Sequence, residues 1–99
     1  MLEISLKNEF GPFCNSWTNG KKLHTKVKIN LDKNRKVILN FANVKVVTSS
    51  FIQAAIVPLF EEYPVSKLSE NLHLKGLSDL TKHSINLALK ARSHSETAA

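Results

Sequence analysis

The run Val37-Ile38-Leu39-Asn40-Phe41 constrains this chain most. It is almost wholly apolar, follows the charged Lys33-Asn34-Arg35-Lys36, and is succeeded by a turn at Ala42-Asn43. Such a run suits a central strand buried on both faces, and a strand of that kind needs neighbours and covering helices. The rest of the chain supplies both. Leu2, Ile4 and Leu6 alternate with Glu3, Ser5 and Lys7, the period of a half-buried strand. Leu23, Val27 and Leu31 recur every fourth residue and predict a surface helix, capped by Thr18 or Asn19 and closed at Asp32-Lys33-Asn34. Between these two elements, 8–17 has no period and contains Gly11-Pro12, so it is expected to be a loop. Its aromatic content (Phe10, Phe13, Trp17) predicts that part of it folds back onto the core.

After a short extended piece at Val44–Val47, Thr48, Ser49 or Ser50 caps a second helix. Ile52, Ala55, Ile56, Leu59 and Phe60 share one side of it, and Phe51 and Val57 make it apolar nearly all round, which predicts deep burial. Pro58 removes a hydrogen bond and is expected to kink it or to mark its last turns. The core should centre on Val37, Leu39, Phe41, Ile52, Ile56 and Leu59. Asn71–Lys75 alternates as a strand ending at Gly76, and Ser78 or Asp79 opens a last helix running to Arg92, with Leu80, Ser84, Leu87, Ala88 and Ala91 inward. The order predicts an α/β fold, a small mixed sheet with crossover helices. With 99 residues there is room for one domain, placed at 1–92, followed by a disordered polar tail over 93–99.

The chemistry is as notable for what it lacks. His24, His73, His83 and His94 make no short ligand pair with each other or with Cys14, so no metal or other cofactor is expected. Gly11, Gly20 and Gly76 stand alone and form no phosphate loop. Glu61-Glu62 diverge on a helix end, and Cys14 has no base beside it in sequence. No nucleophile, acid and base come together, so the chain is expected to bind and not to catalyse. One cysteine, no signal-like start and no apolar run near about 18 residues suggest a cytoplasmic protein away from membranes.

The net charge is +6, and half of the basic residues lie between Lys21 and Lys36. Lys22, Lys26 and Lys33 share an arc of the first helix and are the candidates for contact with a nucleic-acid backbone. A solvated face serving solubility explains the same lysines, and the missing aromatic interleaving favours it.

The segment around Thr48-Ser49-Ser50 stands out, because three hydroxyls exceed the needs of one helix cap. A helix N-terminus also tolerates a phosphate well, through its free N–H groups and dipole. Here the sequence resembles the STAS superfamily, and more closely its STAS-like branch of short bacterial and archaeal proteins of unknown function. The carriers are the strand Val37–Phe41, Asn43-Val44, and the hydroxyl-rich entry Thr48-Ser49-Ser50-Phe51 to a helix. Gly11-Pro12, Ser16 and Asn19-Gly20-Lys21-Lys22-Leu23 upstream are similar too. The resemblance implies a small sheet with helices packed on it, no cofactor, and a regulatory binding role. In the anti-sigma-factor antagonists of this superfamily a serine at the second helix is phosphorylated by a partner kinase. That position is Ser49, with Thr48 where those antagonists have Asp and Phe51 where they have Gly. The expected partner is a protein, of the histidine-kinase-type ATPase or serine-kinase kind. Its expected contacts are Phe13, Trp17, Asn43 and Phe51, with Thr48, Ser49 and Ser50 as the switch.

Overall fold

A computed structural model describes residues 1–98, with side chains through Ala91. The disordered tail expected over 93–99 lies outside the residues described with their side chains. Five strands and six helices follow one another as β1 (Leu2–Ser5), α1 (Leu6–Phe10), β2 (Phe13–Cys14), α2 (Trp17–Asp32), β3 (Val37–Asn40), β4 (Val46–Val47), α3 (Ser49–Ala55), α4 (Val57–Glu62), α5 (Val65–Asn71), β5 (Leu72–Lys75) and α6 (Asp79–Ala98). The main sheet has the order β1-β3-β5, and β2 and β4 form a small second ladder. The α/β class stands. The sheet, expected to be mixed, is parallel at each of its pairings, as parallel neighbours joined by helical crossovers must be.

β3 is the central strand, but it is buried on one face only. Val37 and Leu39 are fully buried, while Ile38 and Asn40 are partly exposed. The register explains the difference. Leu2, Val37 and Leu72 lie side by side, as do Ile4, Leu39 and Leu74, and this face meets the helices. The opposite face carries Glu3, Ile38 and His73 in one row and Ser5, Asn40 and Lys75 in the next. Asn40 Nδ2 donates to Glu3 Oε2 at 3.0 Å, and Lys75 Nζ lies 3.2 Å from the same oxygen. The Asn40 bond, followed by Lys75, holds the Glu3 carboxyl below its ordinary range. Polar bonds over Ile38 thus stand where a second helical layer would otherwise lie. At the end of the sheet, Gly76 has φ of 72°, and a Cβ there would meet the Ala42 nitrogen at 2.7 Å. Only glycine closes that corner.

Ser16, not Thr18 or Asn19, caps α2 by accepting from Asn19 N at 3.1 Å, so the helix starts earlier than its apolar stripe suggests. Leu23, Val27 and Leu31 are buried as their spacing predicts. The expected loop over 8–17 is corrected to a short helix, α1, then β2 and the first turn of α2; Phe10 does fold back, meeting the Phe51 ring edge-on at 5.8 Å. Thr48 caps the second expected helix, which Pro58 divides into α3 and α4. The six residues proposed for the core centre are all buried. The phase of α6 differs in part from the expectation: Ala88 faces inward as expected, but its companion is Ile85, whereas Leu80 and Leu87 are 75% and 53% exposed. Both stripes have helical spacing, and α6 lands on α3 and α4 with the former.

α2 packs more extensively on α3 than on any other element. Gly20 is the point of closest approach. A Cβ built there would lie 2.8 Å from the Phe51 carbonyl oxygen and 2.7 Å from the Ala54 Cβ. The middle and the far end of α2 are fastened by polar bonds to the last residue of α4 and to Tyr63 just after it. His24 Nε2 and Glu62 Oε1 are 2.5 Å apart, and the Tyr63 hydroxyl donates to Asp32 Oδ1 at 2.5 Å. Lys28 and Lys67 each lie 5.4 Å from the centre of the Tyr63 ring. Burial, then the Asp32 carboxylate, pushes the Tyr63 phenol well above its ordinary value of 10.0.

Two predictions follow from this packing. Gly20→Ala gains up to about 1 kcal/mol of helix propensity but forces backbone apart, and should destabilise the protein by a net 1–3 kcal/mol or so. Ile56→Ala should cost about 2–5 kcal/mol. Urea unfolding of both variants measures this, and losses below about 0.5 kcal/mol would contradict the packing described. The second prediction concerns pH. A phenol whose pKa is raised on folding leaves stability intact below pH 10.0, where the unfolded tyrosine is neutral, and removes it as pH rises beyond. Thermal unfolding of the wild type should fall on the alkaline side of pH 10.0, and Tyr63→Phe should flatten that decline.

Candidate functional site

The second ladder organises the candidate site. Phe13 pairs with Val46 and Cys14 with Val47. Lys45 N and Val46 N both donate to the Pro12 carbonyl, at 2.8 and 3.2 Å, and Thr48 N donates to Cys14 O at 3.0 Å. Alternation then divides the four side chains. Cys14 is fully buried and Val47 packs on the core, whereas Phe13 and Val46 are 52% and 42% exposed beside one another. Burial raises the Cys14 thiol above its ordinary pKa, so it stays protonated and unreactive.

Each strand of this ladder runs directly into a helix, β2 into α2 and β4 into α3. The helices start side by side because the strands are parallel and Gly20 lets their backbones meet. Trp17 opens α2 with its ring half exposed. Thr48 Oγ1 accepts from Phe51 N at 3.4 Å, so the capping role belongs to Thr48. Ser49 and Ser50 are exposed in the first turn, and neither makes a side-chain hydrogen bond among the described residues. Neither α2 nor α3 has an acidic residue in its first turn. Free N–H groups and the helix dipoles therefore leave this end of the molecule favourable to negative charge.

Of the residues expected to meet a partner, Phe13 and Trp17 come to this surface with Thr48, Ser49 and Ser50. Phe51 does not. Its ring is fully buried, because the third residue of the helix turns back over the core towards Phe10. Asn43 is exposed but sits at the opposite end of β4, in the left-handed region with φ of 66°. There, with Lys7, Pro12, Val44 and Lys45, it lines an open cleft of about 500 Å3. Val46 is the surface residue that sequence reasoning missed; in Val46-Val47 only the pairing with β2 decides which valine faces out.

Lys22, Lys26 and Lys33 are all exposed. Lys26 Nζ is bound to Glu9 Oε1 at 2.9 Å, and the half-exposed Ile29 lies on the same arc between Lys26 and Lys33. The arc is thus broken by an apolar side chain and partly neutralised. Among the described residues no group of three His, Cys, Asp or Glu side chains is arranged to hold a metal ion, and no helix is long and apolar enough to cross a membrane.

A family model described as a STAS-like domain of unknown function (DUF4325) matches residues 19–82. That span runs from the first turn of α2 to the start of α6, and so includes β3, the hydroxyl cluster and the α2–α3 contact, while Phe13 and Trp17 lie before it. No curated protein and no solved structure matches the chain. Since the family model covers more than half of the sequence and the parallel β-α order agrees with it, the chain belongs to the family of STAS-like domains of unknown function.

Proposed function

We propose that this domain is a regulatory protein-interaction module without catalytic activity, switched by phosphorylation at Ser49 or its neighbour Ser50. One observation carries the reading. Two exposed hydroxyls with no capping duty sit at the start of α3, directly after the ladder that exposes Phe13 beside Val46, and the neighbouring helix α2 opens with the half-exposed Trp17. Apolar side chains of this size beside an anion-tolerant helix end suit a protein partner, with the aromatic rings as anchors. A phosphate there adds about −2 charge and three strong acceptors, which changes such a contact without disturbing the core. By its likeness to the anti-sigma-factor antagonists the partner is a histidine-kinase-type ATPase or a serine kinase, and the setting is cytoplasmic. The basic arc of α2 serves solubility in this reading.

The expected outcome is that Phe13→Ala and Trp17→Ala abolish capture of the native partner from cell extract while the melting temperature stays within a few degrees. Ser49→Asp should change that capture and leave folding intact, and mass spectrometry of protein from its native cell should find phosphate on Ser49 or Ser50. A stably folded Ser49→Asp protein with unaltered capture would reduce the cluster to its cap.

Nucleic-acid binding is distinguished by salt. Replacing Lys22, Lys26 and Lys33 together with Gln should leave partner capture unchanged, and the wild type should bind random-sequence DNA or RNA weakly at physiological salt. Tight binding whose dependence on salt loses about one unit of slope per lost phosphate contact in the triple variant would instead assign the function to the basic arc.

A further inference from the structure

The other end of the main sheet has a feature unrelated to the hydroxyl cluster. β5 is a terminal strand, paired with β3 alone. The edge has no proline and its register with β3 runs without a bulge, so its guard is limited to a short length and the single lysine of Leu72-His73-Leu74-Lys75. Beyond the edge, on the side where the helices lie, an apolar groove of about 210 Å3 is lined by Phe60, Val65, Leu68, Ser69, Leu72 and Leu74. Val65 on its rim is 73% exposed. Sites for cofactor-sized molecules run to about 300–1,000 Å3, so this groove suits one or two side chains instead.

We propose that the β5 edge and its groove bind an extended peptide segment of a partner protein by strand addition, with apolar residues at every second position and acidic residues between them. The backbone edge demands an extended occupant, whose N–H and C=O groups continue the ladder. Alternation dictates the rest. Side chains on one face of an added strand fall beside Leu72 and Leu74 into the groove and must be apolar. Those on the other face fall beside His73 and Lys75 on the open face of the sheet. Lys75 uses one donor on Glu3 at 3.2 Å, and an ammonium has three. Glu70, the nearest acidic residue of α5, is set about 100° or more round the helix from Val65, Leu68 and Ser69. A second copy of the chain fits poorly through the same edge. Antiparallel pairing of β5 with itself about Leu74 sets His73 against Lys75, in a protein of net charge +6.

The test is selection of a phage-displayed library of short random peptides on the full-length protein, followed by NMR with the enriched peptides. The proposal expects enriched sequences that alternate apolar and acidic residues. It expects them to shift and protect the amides of 72–75, and to lose at least about tenfold in affinity for Val65→Glu, which buries a carboxylate in the groove on binding. Val65 is exposed, so that variant should fold as the wild type does. Methylating alternate backbone nitrogens of a peptide, with its side chains kept, should abolish binding. No enrichment, enrichment without a two-residue period, binding that survives backbone methylation, or protection of 72–75 through self-association would each overturn the proposal.

Discussion

The approach of α2 to α3 at Gly20 is the constraint on which the rest depends. Two helix backbones meet there without a side chain between them. That closeness lets Leu23 and Val27 share one core with Phe51, Ile52 and Ala55. It also brings the starts of both helices together, which turns two unrelated loops into a parallel ladder, β2 with β4. The surface that carries Trp17, Phe13 and Ser49 is therefore set by an absent methyl group in the helix core. The candidate surface and the core packing are thus linked through the geometry of that approach.

The main sheet solves a different problem. A parallel sheet is ordinarily covered on both faces, yet this one has helices on one and a polar lattice on the other. Asn40 and Lys75 both bind the Glu3 carboxylate across the three strands and give the sheet a polar, charged cover. Asn40 also accepts from Ala42 N at 2.9 Å, so the same side chain that roofs the sheet starts the turn leading to β4.

Much of this was legible in the residues. The strand at β3, a cap within Thr48-Ser49-Ser50, a disturbance of the second helix at Pro58 and the buried centre each rest on a local rule that the tertiary structure obeys. What stayed hidden depended on partners distant in sequence. Two-residue strands such as β2 carry no period, and only β4 defines them. On α6, Leu80 with Leu87 and Ile85 with Ala88 both have helical spacing; Ala88 was placed inward correctly, but no local property chose Ile85 over Leu80 and Leu87 as its companion. Phe51 follows two exposed serines and so looked like part of the surface, but the helical step of about 100° per residue puts it underneath. α5 follows Pro64 in a segment without clear period, so it was seen only in the structure. At the site, the hydroxyls were legible from composition, whereas Val46 required knowledge of the ladder.

The register of the sheet has a kinetic consequence. Leu2 pairs with Val37 and Val37 with Leu72, so each pairing closes a loop of 35 residues, and the main sheet contains no hairpin. The entropy of closing such loops must be met before any of these pairings forms, and contacts distant in sequence slow folding. Helical segments can form early but need one another's apolar faces to persist. The nascent chain therefore gains little from β1 until β3 has been made, and β3 lacks one neighbour until β5 emerges. Order in this domain arrives late and nearly all at once, because the most hydrophobic strand is flanked on both sides only after β5 has emerged.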